Sequence, residues 1–190
     1  MSARERILDA AAHVMRTKGF AEATTREIAR TAACSEALLY KHFRDKQEIF
    51  RAVLKERMPA VSRPEDLLGS RTFRDNLVTL VGELITFYRA SFPIAASTLS
   101  RASVRAASRA GSELPGGGPQ APALILQRYI EGEVSAGRIH LDADPAALAR
   151  VLAGAALLEA VQAIYDDATP DEESLARRIV TAVGDGLPDG

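Results

Sequence analysis

The sequence predicts an all-α protein of about nine helices, and three observations lead to this class. Capping residues recur along the chain, and the apolar residues between them follow the spacing of a helix face. No segment shows the strict alternation of apolar and polar residues that is typical of a β-strand. Residues 111–122 hold three consecutive glycines and three prolines, so this segment is predicted to be a loop.

Start and stop signals divide the first 57 residues into four helices. Gly19 is expected to end the first helix, because glycine is favoured after a helix C-terminus, and Pro59 is expected to stop the fourth. Each helix has a residue that can accept a hydrogen bond from its first free N–H groups. The expected N-caps are Ser2, Thr24, Ser35 and Asp45, and Glu5, Glu27 and Glu48 are placed to complete capping boxes.

The remaining 133 residues also have helical periodicity. Asp144 before Pro145 predicts an N-cap with proline at the first helical position, and Thr169 before Pro170 predicts another such start. Gly137 is expected to end a helix. The helices expected here cover roughly residues 66–90, 92–110, 123–137 and 144–166, and a last one begins near residue 170.

The composition argues against several classes of protein. Cys34 is the single cysteine, so no internal disulfide can form, and the three histidines lack metal-ligand spacing. No uninterrupted apolar run approaches the ~20 residues of a bilayer span, and the N-terminus lacks the apolar core of a signal peptide. These features predict a cytoplasmic protein with no metal, no cofactor and no membrane partner.

The net charge of −1 conceals a basic N-terminal segment. Residues 1–57 contain 12 Lys and Arg against 8 Asp and Glu, a net charge of +4. Residues 58–190 contain 12 against 17, a net charge of −5. A basic head on an acidic body suits a head that meets a polyanion such as DNA.

Residues 24–43, TTREIARTAACSEALLYKHF, have the design of a helix-turn-helix. Two short amphipathic helices are separated by a tight break. In such a motif the N-terminal residues of the second helix reach base edges in the major groove, and its apolar side is held by the helix before it. The expected base-facing residues are Ser35, Glu36 and Ala37, and the expected packing residues are Leu38, Leu39 and Phe43.

Residues that reach phosphates are expected around this reading helix. The N-terminus of the first helix of the motif can meet a phosphate, and the second turn of the reading helix can reach phosphates or bases. A lysine at the start of the fourth helix can bind the same strand. The residues in question are Thr25 and Arg26, then Tyr40, Lys41 and His42, and finally Lys46.

With these residues the chain resembles the TetR family of transcriptional regulators over residues 4–54. The family's turn usually reads Ala-Gly-Val-Ser, whereas here it reads Ala32, Ala33, Cys34 and Ser35. Ala33 lacks the freedom of glycine at positive φ, so the turn is expected to be slightly strained, and Cys34 is expected to be a small core residue. The matching residues are Gly19, Phe20, Thr24, Thr25, Ile28, Ala29, Ala32, Ser35, Leu39, Tyr40, His42, Phe43 and Lys46.

The resemblance implies a DNA-binding domain at 1–57 and a ligand-binding and dimerisation domain at 58–190. It implies backbone contacts by Thr25 and Arg26, and it places Ser35, Glu36 and Ala37 at base-facing positions. Tyr40, His42 and Lys46 match positions that contact phosphate. It also implies a homodimer on a palindromic operator and a repressor that a small-molecule effector releases. Local roles remain open for Tyr40 in the core, for His42 as a local cap or packing residue and for Glu36 as a plain solvent-facing residue.

The dimer surface is expected on the last two helices. Residues 144–166 are apolar around most of the helix circumference, which requires two burial surfaces, and the resemblance implies that one is the partner subunit. A monomer with one buried central helix is the alternative. The expected interface residues are Leu157, Leu158, Val161, Ile164, Leu175, Ile179 and Val183.

The sequence indicates the effector pocket only loosely. Aromatic residues at helical positions and nearby polar groups are the candidates. Arg101, Arg105 and Arg109 line one helix face and would favour an anionic effector, although such a stripe is usually solvated. The candidate pocket residues are Phe87, Tyr88, Phe92, Thr98, Arg101, Gln127 and Tyr129, with Arg105 and His140 as further polar groups.

Two other classes compete with a DNA-binding regulator. An enzyme would need a nucleophile, a base and an orienting group, or a metal, and no such motif is present in the sequence. An all-helical interaction or adaptor protein without DNA binding is the second alternative. It would not need the polar residues of the reading helix or the basic head.

Overall fold

The computed structural model describes residues 1–99 and 120–183, with the backbone alone for residues 97–99. Nine helices and no strand are found in this part of the chain, which confirms the all-α class. The chain divides into two compact units. The helices are α1 (Ala3–Glu22), α2 (Thr25–Thr31), α3 (Glu36–His42), α4 (Lys46–Glu56), α5 (Pro64–Leu67), α6 (Phe73–Leu99), α7 (Ala121–Ser135), α8 (Pro145–Tyr165) and α9 (Glu172–Ala182).

The first unit contains Met1–Met58 and, among the described residues, 90–99. Its core is built from one face of α1 and from α2, α3 and α4, and Ile94 of α6 belongs to it. Ile7, Met15 and Leu39 are fully buried there. Burial of a large aliphatic side chain contributes about 1.5–3 kcal/mol, so packing of these side chains, rather than helix propensity, stabilises the seven-residue helices α2 and α3.

The expected N-caps of the first four helices are all present. Ser2 and Glu5 form a complete capping box, and Thr24, Ser35 and Asp45 each accept a hydrogen bond from an N–H group of the following turn. The box at Thr24 is only half formed, because Glu27 pairs with Lys18 at 2.6 Å instead of returning to the cap.

Gly19 interrupts the first helix but does not end it. Its φ of 76° and ψ of 162° are non-helical, yet a further turn carries α1 to Glu22. The N–H of Ala23 donates to the carbonyl of Gly19 and closes that turn. Phe20 is thereby directed into the core of the unit, where its ring lies 4.6 Å from that of Phe50.

The second unit contains Pro59–Arg89 and, among the described residues, 120–183. Its core joins α6, α7, α8 and α9, with Leu77, Leu84 and Leu152 fully buried. Asp144 caps α8 with Pro145 at the first helical position, as predicted. Gly137 has φ 68° directly after the C-cap of α7, which confirms the predicted end of that helix.

Three predicted helix boundaries in the second half are wrong. The segment 66–90 is not one helix, since α5 stops at Leu67 and Gly69 adopts φ 67° before α6 begins. No break occurs near residue 91: α6 runs through Pro93, whose ring removes one N–H donor without ending the helix. The last helix begins two residues later than predicted, because Asp171 caps it by accepting from the N–H of Ser174.

Among residues 1–99 and 120–183, two helices are long and apolar enough to cross a membrane by length and composition alone. They are Phe73–Ala96, with a mean hydropathy of 1.3, and Pro145–Tyr165, with a mean hydropathy of 1.6. The sequence prediction overlooked them because charged residues interrupt each apolar run. Both helices contribute buried residues to the core of the second unit, and core helices of soluble proteins pass the same test.

Candidate nucleic-acid interface

Helices α2 and α3 form the predicted helix-turn-helix, and the apolar face of this motif is buried. Ile28 of α2 and Leu39 of α3 are fully buried, and Phe43 directly after α3 is almost so. These side chains anchor the reading helix to α1 and α4 within one core. A reading helix must be held rigidly in this way for its opposite face to meet a groove in a defined register.

The turn between the two helices is a Schellman motif built without glycine. The N–H of Cys34 donates to the carbonyl of Ala29 and the N–H of Ala33 to that of Arg30, both close to 3 Å. Ala33 sits at φ 51°, in the left-handed region, so the predicted strain of this turn is confirmed. Cys34 is partly buried against the core of the first unit, as expected of a small core residue.

The opposite face of the motif is open to solvent. Tyr40 is half-exposed, which excludes the core role that the sequence left open for it. Ser35 serves as the N-cap of α3, but its hydroxyl only accepts in that role and keeps its proton for another partner. The exposed residues among the predicted DNA contacts are Arg26, Ser35, Glu36, Ala37, Tyr40, Lys41 and His42, while Thr25 and Lys46 are partly buried.

Three of the predicted contact residues are joined by hydrogen bonds. Thr25 Oγ1 donates to Glu36 Oε1 over 3.0 Å, and Thr25 Oγ1 and Tyr40 Oη lie 3.2 Å apart in a second hydrogen bond. Thr25 is the first residue of α2, whereas Glu36 and Tyr40 lie one turn apart on α3. The polar edge of the reading face is therefore pre-arranged before any ligand is present.

The Lys46 ammonium contacts two residues at the end of α1 in the first unit. It donates to the carbonyl of Ala21 over 3.2 Å and lies 4.5 Å from the centre of the Phe20 ring. This placement joins the start of α4 to the end of α1. If Lys46 also contacts a phosphate, it does so beside these two interactions with Ala21 and Phe20, which the sequence did not reveal.

Ion pairs between α1 and the end of α4 stiffen the same unit. Arg4 makes two hydrogen bonds to the carboxylate of Glu56, at 2.6 and 2.8 Å, and Arg57 pairs with Asp9 at 2.6 Å. The bond from Arg4 is also what lowers the pKa of the Glu56 carboxyl most. The four side chains are 25–51% exposed, so solvent screens both pairs and each contributes little on its own to stability.

The predicted pocket residues have separate surroundings in the structure. Tyr129 is fully buried and stacks on Phe73, with ring centres 5.8 Å apart. Tyr88 is partly buried, and burial raises its pKa to about 12; the ring of Phe87 lies 5.9 Å away. Gln127 donates to Glu131 one turn along the surface of α7.

Of the three remaining predicted pocket residues, the structure describes only the side chain of Phe92. Phe92 is partly buried and belongs to the first unit rather than the second. The side chain of Thr98 and the whole of Arg101, like Arg105 and Arg109, lie outside the described residues.

A cavity of about 540 Å³ opens between α6 and α9 within the second unit. None of the predicted pocket residues that the structure describes lines it. Its wall is mainly polar and charged, whereas the pocket expected from the sequence combines aromatic residues with polar groups. The lining residues are Arg71, Asp75, Val78, Thr79, Gly82, Glu83, Thr86, Glu172, Glu173 and Arg177.

A buried polar cluster next to Tyr129 was missed by sequence reasoning. Glu133 is almost fully buried, and its two oxygens accept from the N–H of Gly69 and from Arg138. Asn76 is fully buried and donates to the carbonyl of Leu67. Helical spacing was the available signal for Glu133, because it falls one turn after Tyr129 on the apolar face of α7.

The predicted dimer residues divide into two groups. Leu158 is strongly exposed and Ile164 moderately so, whereas Leu157 and Val161 are partly buried. The residues expected on the last helix are partly buried against the core of their own unit. These are Leu175, Ile179 and Val183.

Comparisons with known proteins agree with the head described above. A family model for bacterial regulatory proteins of the tetR family matches residues 7–53. The uncharacterized HTH-type transcriptional regulator YvkB of Bacillus subtilis is 42% identical over 52 residues, which cover 27% of this chain and 28% of that protein. An HTH-type transcriptional repressor of Mycobacterium tuberculosis is 36% identical over 69 residues, 35% of this chain and 37% of that protein. The aligned segments thus span less than two fifths of either relative.

Solved structures resemble the chain over nearly its whole length. The transcriptional regulator FadR from Bacillus subtilis, solved in complex with stearoyl-CoA, has a TM-score of 0.72 at 17% identity and covers 97% of this chain and 99% of its own. A structure assigned to the TetR family, from a Rhodococcus species, has a TM-score of 0.72 at 20% identity, with 99% and 100% covered. At such identities the likeness establishes the fold. Residues 7–53 are the segment of this chain that is similar to bacterial regulatory proteins of the tetR family.

Proposed function

We propose that this chain is a sequence-specific DNA-binding transcriptional regulator that acts as a homodimer, represses transcription and is released from its operator by a small-molecule effector. One observation carries the proposal. The reading helix α3 is anchored by the fully buried Leu39, while the polar residues at its N-terminal end are exposed and pre-arranged. An adaptor protein that does not bind DNA has no need of a short helix with one buried face and one exposed, hydrogen-bonded polar face.

The charge of the first unit supports DNA as its partner. Arg26, Lys41 and Arg44 are exposed on or next to the helix-turn-helix, and residues 1–57 carry a net charge of +4. Exposed cations around a reading helix neutralise phosphates, and release of the counterions bound there supplies most of the sequence-independent affinity. Base-facing residues then select the sequence.

An exposed apolar stripe on α8 supports the dimer. Val151, Leu158 and Tyr165 are 55%, 66% and 85% exposed, and Gly154 between them has open space around it. The spacing alternates between three and four residues, which is the pattern of a helix seam that packs on another helix. Soluble monomers rarely leave such a continuous apolar stripe uncovered. The stripe consists of Ala147, Val151, Gly154, Leu158, Val161 and Tyr165.

The second copy is the occupant that best explains this stripe. One reading helix contacts one half-site, and two linked heads gain affinity through effective concentration. A two-fold dimer reads two half-sites about one helical turn of DNA apart, hence the palindromic operator in this proposal. The partly exposed Leu175 and Ile179 on α9 extend the available apolar surface.

An effector that binds the second unit would regulate the head by a coupling free energy between the two sites. FadR, which shares the fold, was solved with stearoyl-CoA, an acyl thioester with an anionic head. The cavity between α6 and α9 is lined by two arginines and four carboxylates, so it does not itself favour an anion. An anionic effector is supported by the arginines of the sequence stripe, Arg101, Arg105 and Arg109. An effector screen that yields only neutral or cationic ligands would count against this part of the proposal.

A titration of duplex DNA by fluorescence anisotropy tests the central claim. The probe is the region upstream of the chain's own gene, and the reference is a shuffled duplex of equal length and composition. Specific binding is expected to exceed binding to the shuffled duplex by at least about 1,000-fold at physiological salt. Equal affinity for the two duplexes would instead favour the adaptor protein without specific DNA binding.

Two matched arginine variants locate the binding face. Arg26→Ala removes an exposed cation at the start of α2, and Arg178→Ala removes an exposed cation on α9 of the second unit. Arg26→Ala is expected to weaken binding to all sequences and to lower the dependence of affinity on salt by about one phosphate contact. Arg178→Ala is expected to leave both unchanged.

A further inference from the structure

We propose that Glu36 couples backbone contact to base readout: when Thr25 and Tyr40 turn their hydroxyl groups to phosphate, the Glu36 carboxylate is released to accept a hydrogen bond from the exocyclic amino group of a base. The inference rests on the DNA-binding function proposed above. It names a specificity-determining residue and the base chemistry that this residue reads.

The hydrogen bonds between α2 and α3 run in one direction. A carboxylate only accepts, so Glu36 takes the single hydroxyl proton of Thr25 over 3.0 Å. Thr25 then has no proton left for Tyr40, 3.2 Å away, and Tyr40 must be the donor in that contact. The chain therefore runs from Tyr40 through Thr25 to Glu36.

This arrangement leaves no hydroxyl proton for DNA. Both hydroxyl protons lie within the hydrogen bonds from Tyr40 to Thr25 and from Thr25 to Glu36. Thr25 and Tyr40 therefore present only oxygen lone pairs to their surroundings. Phosphate oxygens are also acceptors, so neither hydroxyl binds a phosphate in this state. Contact with the DNA backbone requires both protons to turn outward, away from Glu36.

The same movement leaves Glu36 without its donor. Glu36 is exposed in the first turn of α3, where the N-terminal residues of a reading helix meet base edges. A carboxylate there repels phosphates and carbonyl acceptors. In the major groove the donors are the N4 amino group of cytosine and the N6 amino group of adenine, and Glu accepting from cytosine is a favoured pairing. DNA that offers such a group at the correct position compensates the loss of the Thr25 hydrogen bond.

Selection from duplexes with a random core tests this coupling. Wild-type protein, Glu36→Ala and Glu36→Gln are each used to enrich the library, and the base preferences are compared position by position. Wild type is expected to favour cytosine or adenine at one position of each half-site by about 5- to 100-fold. Glu36→Ala is expected to lose that preference while keeping those at the other positions.

The glutamine variant distinguishes the two bases. Its amide both donates and accepts, which suits the N6 and N7 atoms of adenine. If wild type reads cytosine, Glu36→Gln is expected to change the preference at that position to adenine. If wild type reads adenine, the preference is expected to remain.

Tyr40→Phe tests the coupling to the backbone. This substitution is expected to lower the affinity for a randomised duplex in both the wild-type and the Glu36→Ala backgrounds. The loss is expected to be larger in the Glu36→Ala background, because there the Tyr40 hydroxyl can bind phosphate without breaking the hydrogen bonds that lead to Glu36. Equal effects in the two backgrounds would overturn the coupling. Thermal unfolding checks that each variant retains its fold, which the exposure of both side chains favours.

Three outcomes of the selection separate the claims. An unchanged preference profile for Glu36→Ala overturns the inference and leaves the proposed function intact. Equal flattening at every position also overturns it, because Glu36 would then only support the shape of α3. If wild type enriches no sequence at all, the proposed function fails, and the inference fails with it.

Discussion

The reading face of α3 and the exposed stripe of α8 are both open to solvent, but their chemistry is opposite. On α3 the exposed groups are polar, and Glu36 and Tyr40 are already hydrogen-bonded through Thr25. On α8 they are apolar, with Leu158 and Tyr165 unshielded by their own chain. Water solvates the first surface well and the second poorly, so the two surfaces call for different partners.

This comparison shows that the exposure of a helix face indicates the kind of partner only when the polarity of its side chains is also considered. A polar face with its hydrogen bonds satisfied is stable alone and suits a ligand that is bound and released. An apolar face is stabilised by permanent burial against another apolar surface. The following four predictions are ordered from the largest expected effect to the smallest. The first two test the two surfaces, and the last two test helix-terminal turns and a buried hydroxyl group in the units that carry these surfaces.

Leu158→Glu is expected to dissociate the dimer. Each subunit would bring an uncompensated charge into the proposed interface, and such a charge costs about 3–5 kcal/mol when buried. The dissociation constant is therefore expected to rise by more than about 100-fold, as measured by sedimentation equilibrium. Val134→Glu on α7 is the matched control, since Val134 is exposed but lies on another helix. A dimer of unchanged affinity would show that the stripe on α8 is not the interface.

Lys46→Ala is expected to weaken binding to all DNA sequences alike and to lower the salt slope by about 1. It is also expected to destabilise the head by about 0.5–1 kcal/mol, because the contact between the Lys46 ammonium and the Phe20 ring is lost. Lys55→Ala at the other end of α4 removes the same charge from an exposed site and serves as the control. Lower stability with an unchanged slope would make Lys46 a tether only.

Ala33→Gly and Gly137→Ala are expected to have opposite effects on stability. Both residues follow a helix C-cap at positive φ, 51° and 68°, which is unfavourable for a residue with a Cβ. Nothing lies within 4 Å of a Cβ placed on Gly137, so that substitution isolates the backbone effect. Urea denaturation is expected to show a gain of about 0.5–1 kcal/mol for the first variant and a loss of about 1 kcal/mol for the second. Changes of the same sign would contradict this account of the two turns.

Tyr129→Phe is expected to raise the free energy of unfolding by up to about 1 kcal/mol at neutral pH. The Tyr129 hydroxyl is buried, and in the described part of the chain it completes no hydrogen bond, although Asn76 and Glu133 lie beside it.

The same substitution should alter the alkaline behaviour of the protein. Burial raises the pKa of Tyr129 to about 12 from the ordinary 10, so the unfolded chain loses this proton first. Stability contributed by the neutral form is complete below pH 10 and declines from there to about pH 12. Unfolding curves across this range should show a smaller decline for Tyr129→Phe than for the wild type, and an equal decline would contradict the pKa.

Local rules made the first unit largely predictable. The N-caps at Ser2, Thr24, Ser35 and Asp45 are all present, because a cap needs only its own turn of backbone. Two predicted capping boxes failed because another group takes the glutamate. The N–H of Arg44 donates to Glu48 Oε2 over 2.7 Å. Glu27 would complete a capping box, but Lys18 of α1 lies 2.6 Å from its carboxylate and takes it.

The helices of the second unit were less predictable because neighbouring residues give conflicting signals for where each helix begins and ends. Pro170 suggested a helix start, yet the stronger carboxylate cap of Asp171 begins α9. The sequence predicted separate helices at 66–90 and 92–110, yet α6 continues through Pro93 to Leu99. The predicted pocket, dimer and DNA contacts remain predictions. The cavity between α6 and α9 involves none of the predicted pocket residues whose side chains the structure describes.

The sequence alone determined the all-α class, the four capped helices of the first unit and the helix-turn-helix formed by α2 and α3. These features follow from periodicity, capping and turn chemistry, which act within a few residues. Only the tertiary structure decided that Lys46 is held by Ala21 and Phe20, that Glu133 is buried and that Thr25 joins Glu36 to Tyr40. Such contacts depend on how separate helices pack, and packing fixes distances between side chains that no local pattern in the sequence specifies.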